Sequence, residues 1–375
     1  MKAGGFLAMK RFLCLYGVVL GFLFLPSCGP EEPPIDSFEY GDLFENVADN
    51  MIVPRYAQFQ SNLLALQARL NAFDASDVQT LISLQEQFKA TYLSWQSVSA
   101  FEFGPAAEYS ALLRINCNSF PALTDTIEEN IQFGTYNLDF PSNYQAKGLP
   151  AFDYLLFHAD QNELLLELND PSRIAYLQDC LADMQGRVDE VVNAWDSYRD
   201  IFVSSYGNDQ SSSLSLLFNY FLYDYEQIKR NKFALPAGFA TSFGIPIAMD
   251  TSKVEGFYSG KSFELIHANL TALESVYLGI GENGIDGIGI YEMLKAYNAI
   301  STVVDGDLSE AIADQFVLCK ELVNQFANDL PYEIVNNISQ VQETSNELQK
   351  MVPMIKNDMR SYFSVTVTLG DSDGD

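Results

Sequence analysis

Basic residues are scarce in this sequence, and their scarcity excludes one large class of partners. The 375 residues hold 21 Lys and Arg against 50 Asp and Glu, which gives a formal net charge of −29. Such a surface repels phosphate backbones, so we predict no nucleic-acid partner. It also repels anionic membrane surfaces, which leaves a covalently attached lipid as the predicted contact with a membrane.

Histidine is rare too, and the cysteines are not paired in the sequence. Only His158 and His267 occur, without an HExxH motif or the spacing of a conventional zinc site. The five cysteines form no CxxC motif, which argues against a zinc ribbon or a thioredoxin-like redox site. Cys117 and Cys180 are the candidate disulfide of an oxidising compartment, since Cys319 falls on an apolar helical stripe and is typical of a core residue.

The N-terminus is typical of an exported lipoprotein. A basic pair, Lys10 and Arg11, precedes an apolar stretch that is too short to span a bilayer, and Leu25-Pro26-Ser27-Cys28 resembles a lipidation site. We predict a signal peptide over 1–27, a lipid on Cys28 and a flexible tether over 28–40. The predicted location is the outer membrane, facing the periplasm or the cell surface. An ordinary secretory signal with an incidental cysteine is the alternative.

Apolar residues at alternating spacings of three and four predict an all-α protein. Clear stripes run from Leu81 to Trp95, from Ile174 to Phe202 and from Ile334 to Ile355, and only Phe363 to Leu369 resembles a strand. This spacing suits antiparallel bundles, and the length favours two of them. We predict an N-terminal bundle, a C-terminal bundle and an acidic tail, at 41–168, 169–368 and 369–375. Duplication of the two halves remains open.

Two carboxylates stand where apolar side chains are expected. Extending the Leu81 to Trp95 stripe by seven residues reaches Glu102, and Asp153 has Leu149, Leu156 and Phe157 as helical neighbours. A core-facing carboxylate must be hydrogen-bonded, paired or bound to a cation. The alternatives are that the helix frays before Gly104 so that Glu102 meets water, and that Asp153 only complements a helix N-terminus. We predict that both acids line one site between the bundles.

The sequence resembles the imelysin-like family of bacterial exported proteins. The matching segments, in order along the chain, are Trp95 with Phe101-Glu102-Phe103-Gly104-Pro105, Phe120-Pro121 with Ile127-Glu128-Glu129-Asn130-Ile131, Gly148 to Phe157, Tyr258-Ser259-Gly260-Lys261-Ser262 and the terminal Asp371-Ser372-Asp373-Gly374-Asp375. The resemblance implies two helical bundles with a site between them, an association with iron acquisition, and a metallopeptidase label that comes from a GxHxxE motif.

The motif is incomplete in this chain. Gly148 matches its glycine, but Pro150 stands in the place of the histidine and Asp153 in the place of the glutamate. Proline cannot ligate a metal, whereas the aspartate could still bind a hard cation, iron or another divalent ion. We therefore predict a non-catalytic, lipid-anchored protein linked to iron uptake that binds a metal or another ligand. The candidate residues of its site are Glu102, Asp153, Gly148 and Pro150. A metallopeptidase and an interaction module for an outer-membrane transport protein are the alternatives.

Overall fold

Helices account for nearly all the regular structure in the computed structural model, which describes residues 38–369. The predicted signal peptide, Cys28, most of the tether and nearly all of the acidic tail lie outside the described residues. The α-helices, α1 to α15 in chain order, are Tyr40–Glu45, Val53–Asn71, Val78–Val98, Leu113–Cys117, Thr124–Phe133, Gly148–Phe157, Gln161–Glu167, Pro171–Ser204, Ser213–Glu226, Ser262–Leu278, Ile290–Ala296, Leu308–Asn324, Leu330–Asn336, Ile338–Pro353 and Arg360–Phe363.

Shorter elements join the α-helices. In the part of the chain that the structure describes, three segments are π-helical, namely Asn46–Ile52, Gln227–Ala234 and Met354–Met359. Four segments of the same part are 3-10 turns, namely Ser99–Phe101, Gly104–Ala107, Pro141–Ala146 and Thr251–Lys253. Within the described range, the paired strands are two short ones, β1 (Thr241–Ser242) and β2 (Ile245–Pro246), which form an antiparallel hairpin. The predicted all-α class of helical bundles is confirmed.

The apolar stripes are the buried faces of these helices. Leu81, Leu84, Phe88, Tyr92 and Trp95 are all at most 2% exposed on α3, and Asp77 caps that helix by accepting a hydrogen bond from the backbone N–H of Gln79 at 2.9 Å. Within residues 38–369, no helix is both long and apolar enough to cross a bilayer.

Two local predictions were wrong. The stripe from Ile334 to Ile355 is not one helix, because Asn337 leaves the helical conformation and its side-chain amide donates to Glu333, a local hydrogen bond that competes with helix continuation. The strand-like segment Phe363 to Leu369 pairs with no strand among the described residues. Instead Asn219 uses its side-chain amide to bond the carbonyl of Thr366 at 3.0 Å and the N–H of Thr368 at 2.7 Å.

Helix α3 lies at the centre of the helix packing. It contacts α2 on one side and α10 on the other, while α2 also packs along the long helix α8, and α10 along α12. The buried apolar residues form one continuous cluster from Leu43 to Val365. The predicted division into two bundles near residue 168 stays a prediction. What matters for the site is that the C-terminal end of α3 meets α9 and α10, so polar groups there are shared between distant parts of the chain.

Candidate functional site

Glu102 faces the interior even though the helix before it has ended. Helix α3 stops at Val98, and the 3-10 turn that follows carries the chain to Glu102. Its Oε2 accepts a hydrogen bond from Arg114 Nε at 2.7 Å, and its Oε1 accepts from the backbone N–H of Arg114 at 2.9 Å. Burial raises the pKa of Glu102, and Arg114 opposes that rise. The carboxylate therefore meets an internal cation rather than water.

Arg114 joins three elements through its guanidinium. Besides Glu102, its Nη2 donates to the carbonyl of Ser99 and to Asp224 Oδ1, both at 2.6 Å, and the guanidinium lies 5.3 Å from the ring centre of Tyr223. Burial alone would lower the pKa of Arg114, but Asp224 and Glu102 hold it above its usual value. The two N–H groups on Nη1 have no hydrogen-bond partner within residues 38–369.

Hydrogen bonds continue from Asp224 into the interior. Its Oδ2 accepts from Ser99 Oγ at 3.0 Å and from Asn269 Nδ2 at 2.6 Å. Asn269 Oδ1 in turn accepts from Lys232 Nζ at 2.8 Å. Asp224 and Asn269 are both fully buried. A buried amide that accepts on one side and donates on the other thus connects an acid to a base without placing them in contact.

Lys232 and Glu255 form a buried ion pair at the far end. Their Nζ and Oε2 atoms lie 2.9 Å apart, and each side chain is only 1% exposed. Gln96 Oε1 also accepts from Lys232 Nζ at 2.5 Å, while Glu255 Oε1 accepts from Asn118 Nδ2 at 2.6 Å. We call the connected set the buried polar network, and its charged and central members are Glu102, Arg114, Asp224, Asn269, Lys232 and Glu255.

A cleft of about 580 Å³ adjoins the buried polar network. Arg114 and Asn118 belong to both, and the other polar walls of the cleft include Tyr144, Gln145, Tyr223, Gln227, Asn231 and Lys253. None of the described residues that line the cleft is Asp or Glu. The π-helix Gln227–Ala234 sends Lys232 into the network and brings Gln227 and Asn231 to the cleft wall, and π-helical turns occur frequently at functional sites.

Asp153 lies in α6 beside a second, smaller cavity. Its Oδ2 accepts from the N–H of Tyr258 at 2.9 Å and its Oδ1 from the N–H of Ser259 at 3.1 Å. Burial raises the pKa of Asp153 to about 6, the two hydrogen bonds lower it, and nearby Glu255 raises it further. The small cavity has a volume of about 270 Å³, and Pro150 also lines it. Asp153 thus links the loop that contains Tyr258 and Ser259 to helix α6.

Gly148 allows the start of α6 to approach α4 closely. Its φ is +67°, and a Cβ there would lie 2.4 Å from the carbonyl oxygen of Cys117. The structure does not contain the disulfide predicted between Cys117 and Cys180, because both are buried free thiols. Burial raises the pKa of both thiols, that of Cys180 to about 12, so neither side chain favours the thiolate from which disulfides form.

The two predicted acids do not share a partner. Glu102 is bonded to Arg114, whereas Asp153 is bonded to the backbone of Tyr258 and Ser259. The two acids lie near opposite ends of the buried polar network. The nearby acid of the network is Asp224 for Glu102 and Glu255 for Asp153.

The other network residues were not predicted from the sequence. The signal that identified Glu102 was also present for Asp224, which follows Phe221 by three residues and precedes Ile228 by four on the stripe of α9. Glu255 lies in a connecting segment, where no periodic pattern could have indicated its burial.

The residues present do not fit a bound metal ion. Both predicted carboxylates already accept hydrogen bonds from internal donors. Within residues 38–369 no group of three His, Cys, Asp or Glu side chains is arranged to hold a metal. His158 pairs with Glu167 at 2.9 Å, away from both cavities.

Comparison with known proteins identifies relatives at the level of fold and family. The family model described as imelysin matches residues 52–351. A crystal structure of a Parabacteroides distasonis protein, named as an iron-regulated protein A precursor, has a TM-score of 0.70 at 16% identity and covers 86% of this chain and 95% of that one. An imelysin-like protein from Psychrobacter arcticus has a TM-score of 0.63, also at 16% identity, over 88% of this chain and 97% of its own. No curated protein matches the chain.

Proposed function

The chain belongs to the imelysin family, and we propose that it is a non-catalytic, lipid-anchored envelope protein that binds a small organic ligand in the cleft beside Arg114. The volume of about 580 Å³ is typical of small-molecule sites. The name of the Parabacteroides distasonis protein supports a link to iron. In this proposal that link concerns how the protein is regulated or which compound it carries, since the carboxylates do not fit direct metal coordination.

One observation carries the proposal: a guanidinium is held rigid while part of it stays unused. Glu102 and Asp224 fix Arg114 at 2.7 and 2.6 Å, and Arg114 lines the cleft. Within the described chain the N–H groups on its Nη1 have no hydrogen-bond partner, which makes them available to a ligand. A donor that is already ordered loses little conformational entropy on binding, which is the usual advantage of a preorganised site.

The test is native mass spectrometry of the full-length chain extracted from envelopes. We expect a small-molecule adduct on the wild-type chain that is lost in a Gln227→Leu/Asn231→Leu variant, which alters the cleft wall and leaves the ion pairs of the network intact. Arg187→Gln is the matched control, because Arg187 is a similarly covered arginine that pairs with Asp183 at 2.9 Å and lines a different cavity. Absence of any adduct, or an equal adduct in the double variant, would contradict the proposal.

Lipid attachment and partnership are tested separately. We expect Cys28→Ser to move the chain from the membrane fraction to the soluble fraction and to remove acyl-chain mass from the N-terminal peptide. If the chain serves an outer-membrane transport protein through its acidic surface, crosslinking in intact envelopes should recover that protein with the wild-type chain.

A metallopeptidase is the competing function, because the family model carries a peptidase name. That activity needs a metal-held water, and in this chain Pro150 stands where the motif has histidine. Incubation of the full-length chain with a peptide library, with and without EDTA, decides between the two. Cleavage that the chelator abolishes and that Asp153→Asn removes would replace our proposal.

A further inference from the structure

We propose that the cleft selects a neutral, hydroxyl-rich ligand, in chemical terms a saccharide, over charged molecules of similar size. This inference rests on the proposed binding function of the cleft and names the class of its ligand. It follows from four properties of the wall: the charge of its side chains, the acids that offset the charge of Arg114, the hydrogen-bonding groups without a partner in the described chain, and the aromatic rings.

The wall lacks the charge that dominates the rest of the chain. Asp and Glu outnumber Lys and Arg by 50 to 21 in the sequence, yet the described lining of the cleft contains no carboxylate. An organic cation would therefore find no direct counter-ion in the cleft. It would lie instead against Arg114 and Lys253, the two basic lining residues.

An anion is disfavoured for a different reason. The charge of Arg114 is offset twice, by Glu102 at 2.7 Å and by Asp224 at 2.6 Å. Lys253 also pairs with an acid, because its Nζ lies 3.7 Å from Asp250 Oδ2. The two acids beside Arg114 outnumber its single charge, so a bound anion would gain a hydrogen bond but little net Coulomb attraction. What Arg114 offers is a pair of N–H donors on Nη1 that have no partner within the described chain, and such donors suit a neutral oxygen.

The unused groups of the cleft both donate and accept, as hydroxyl groups do. Gln227 Oε1 accepts from Asn231 Nδ2 at 2.5 Å, and the Gln227 Nε2 donors have no partner within the described chain. Gln145 is complementary, because its Nε2 donates to the carbonyl of Pro121 at 3.2 Å and its Oε1 is unused within that range. A ligand hydroxyl can accept from Arg114 or Gln227 and donate to Gln145.

Aromatic rings complete the wall. Phe120, Tyr144 and Tyr223 line the same cleft. Rings of this kind supply apolar contact area at a low cost in side-chain entropy and suit the C–H faces of a sugar ring. The cavity thus combines amides, aromatic rings and an arginine whose charge is offset by two acids. This combination suits a polar but uncharged ring compound.

The experiment compares three sugars that differ in charge. N-acetylglucosamine, glucosamine and glucuronate are titrated into the full-length chain in a detergent without a sugar headgroup, and binding is followed by saturation-transfer NMR. We expect N-acetylglucosamine to bind about tenfold more tightly than either charged sugar. We expect its Kd to change less than about twofold between about 0.05 M and about 0.5 M NaCl, because no net ion pair forms.

Variants locate the site. Gln227→Leu/Asn231→Leu should weaken N-acetylglucosamine about tenfold, as expected when a polar ligand loses its partners. Arg187→Gln should bind as the wild-type chain does. Tighter, salt-sensitive binding of glucuronate would overturn the inference in favour of an anion site, and tighter binding of glucosamine would overturn it in favour of a cation site.

Failure of this inference can be told apart from failure of the proposed function. If none of the three sugars binds while the native adduct is present and depends on Gln227 and Asn231, the ligand class is wrong and the binding function stands. If neither sugar binding nor an adduct is found, both are wrong.

Discussion

Removing Lys232 should destabilise the chain strongly, because it leaves the buried carboxyl group of Glu255 without its cation. Lys232 Nζ donates hydrogen bonds to Gln96 at 2.5 Å and Asn269 at 2.8 Å, and it forms an ion pair with Glu255 at 2.9 Å. The side chains of Lys232 and Glu255 are each 1% exposed, so water cannot take the place of the lost partner. Breaking such a buried pair by removing one partner costs about 3–5 kcal/mol.

The assay is thermal unfolding of Lys232→Met at neutral pH. An unfolding entropy of about 2.1 cal/mol/K per residue gives about 0.7 kcal/mol/K for about 330 residues, so the expected loss corresponds to a Tm lower by about 4–7 °C. Lys350→Met is the control, because Lys350 makes an exposed ion pair with Glu347 at 2.6 Å, and we expect little change there.

A second variant separates loss of charge pairing from loss of packing. Lys232→Met/Glu255→Gln has no buried charge at this position, and it retains an acceptor for Asn118, so it should regain at least about half of the stability lost in Lys232→Met. If the double variant is as unstable as the sum of its two single variants, the pair does not act as a unit. The assignment of Lys232 and Glu255 as a charge-compensated pair would then be refuted.

Three further predictions concern the smaller cavity and its surroundings. Burial raises the pKa of Asp153 to about 6, so Asp153 stays protonated to a higher pH in the folded chain than in the unfolded one, where its ordinary pKa is near 4. Its contribution to stability is therefore present below about pH 4 and lost as pH rises through about 6. The Tm of Asp153→Asn relative to wild type should rise between about pH 4 and about pH 7, and a flat difference would contradict the prediction. Gly148→Ala should cost more than about 1 kcal/mol in unfolding experiments, because its Cβ meets the Cys117 carbonyl at 2.4 Å, whereas Gly134→Ala has a similar φ and open space and should cost less. Cys117 and Cys180 should react with iodoacetamide only after unfolding, and recovery of a disulfide-linked peptide by mass spectrometry would disprove the free-thiol state.

The helices could be predicted because they depend on the local periodicity of apolar residues. Stripes such as Leu81 to Trp95 need only the 3.6-residue repeat to show which face is buried. The break at Asn337 was missed, because apolar spacing continues across it and the interruption depends on one side-chain hydrogen bond to Glu333. The apolar periodicity therefore predicted the helices well but did not predict the helix boundary at Asn337.

The candidate site was predicted only in part. The sequence indicated that Glu102 and Asp153 are out of place among apolar neighbours, and both are indeed largely buried. It could not indicate their partners, because Glu102 is paired twelve residues away with Arg114, and Asp153 more than a hundred residues away with the backbone of Tyr258 and Ser259. Neither separation along the chain leaves a recognisable pattern in the sequence.

The amino-acid sequence by itself determined the all-helical architecture and the family, since both depend on local spacing and on ordered motifs. Only the tertiary structure decided that Lys232, Asn269 and Glu255 belong to the buried polar network. It also decided that the amides of Gln227 and Asn231 share a cleft with Arg114. The physical reason is that burial and compensation of charge depend on which distant segments pack together. The order of residues along the chain does not show which residues become neighbours in the folded protein.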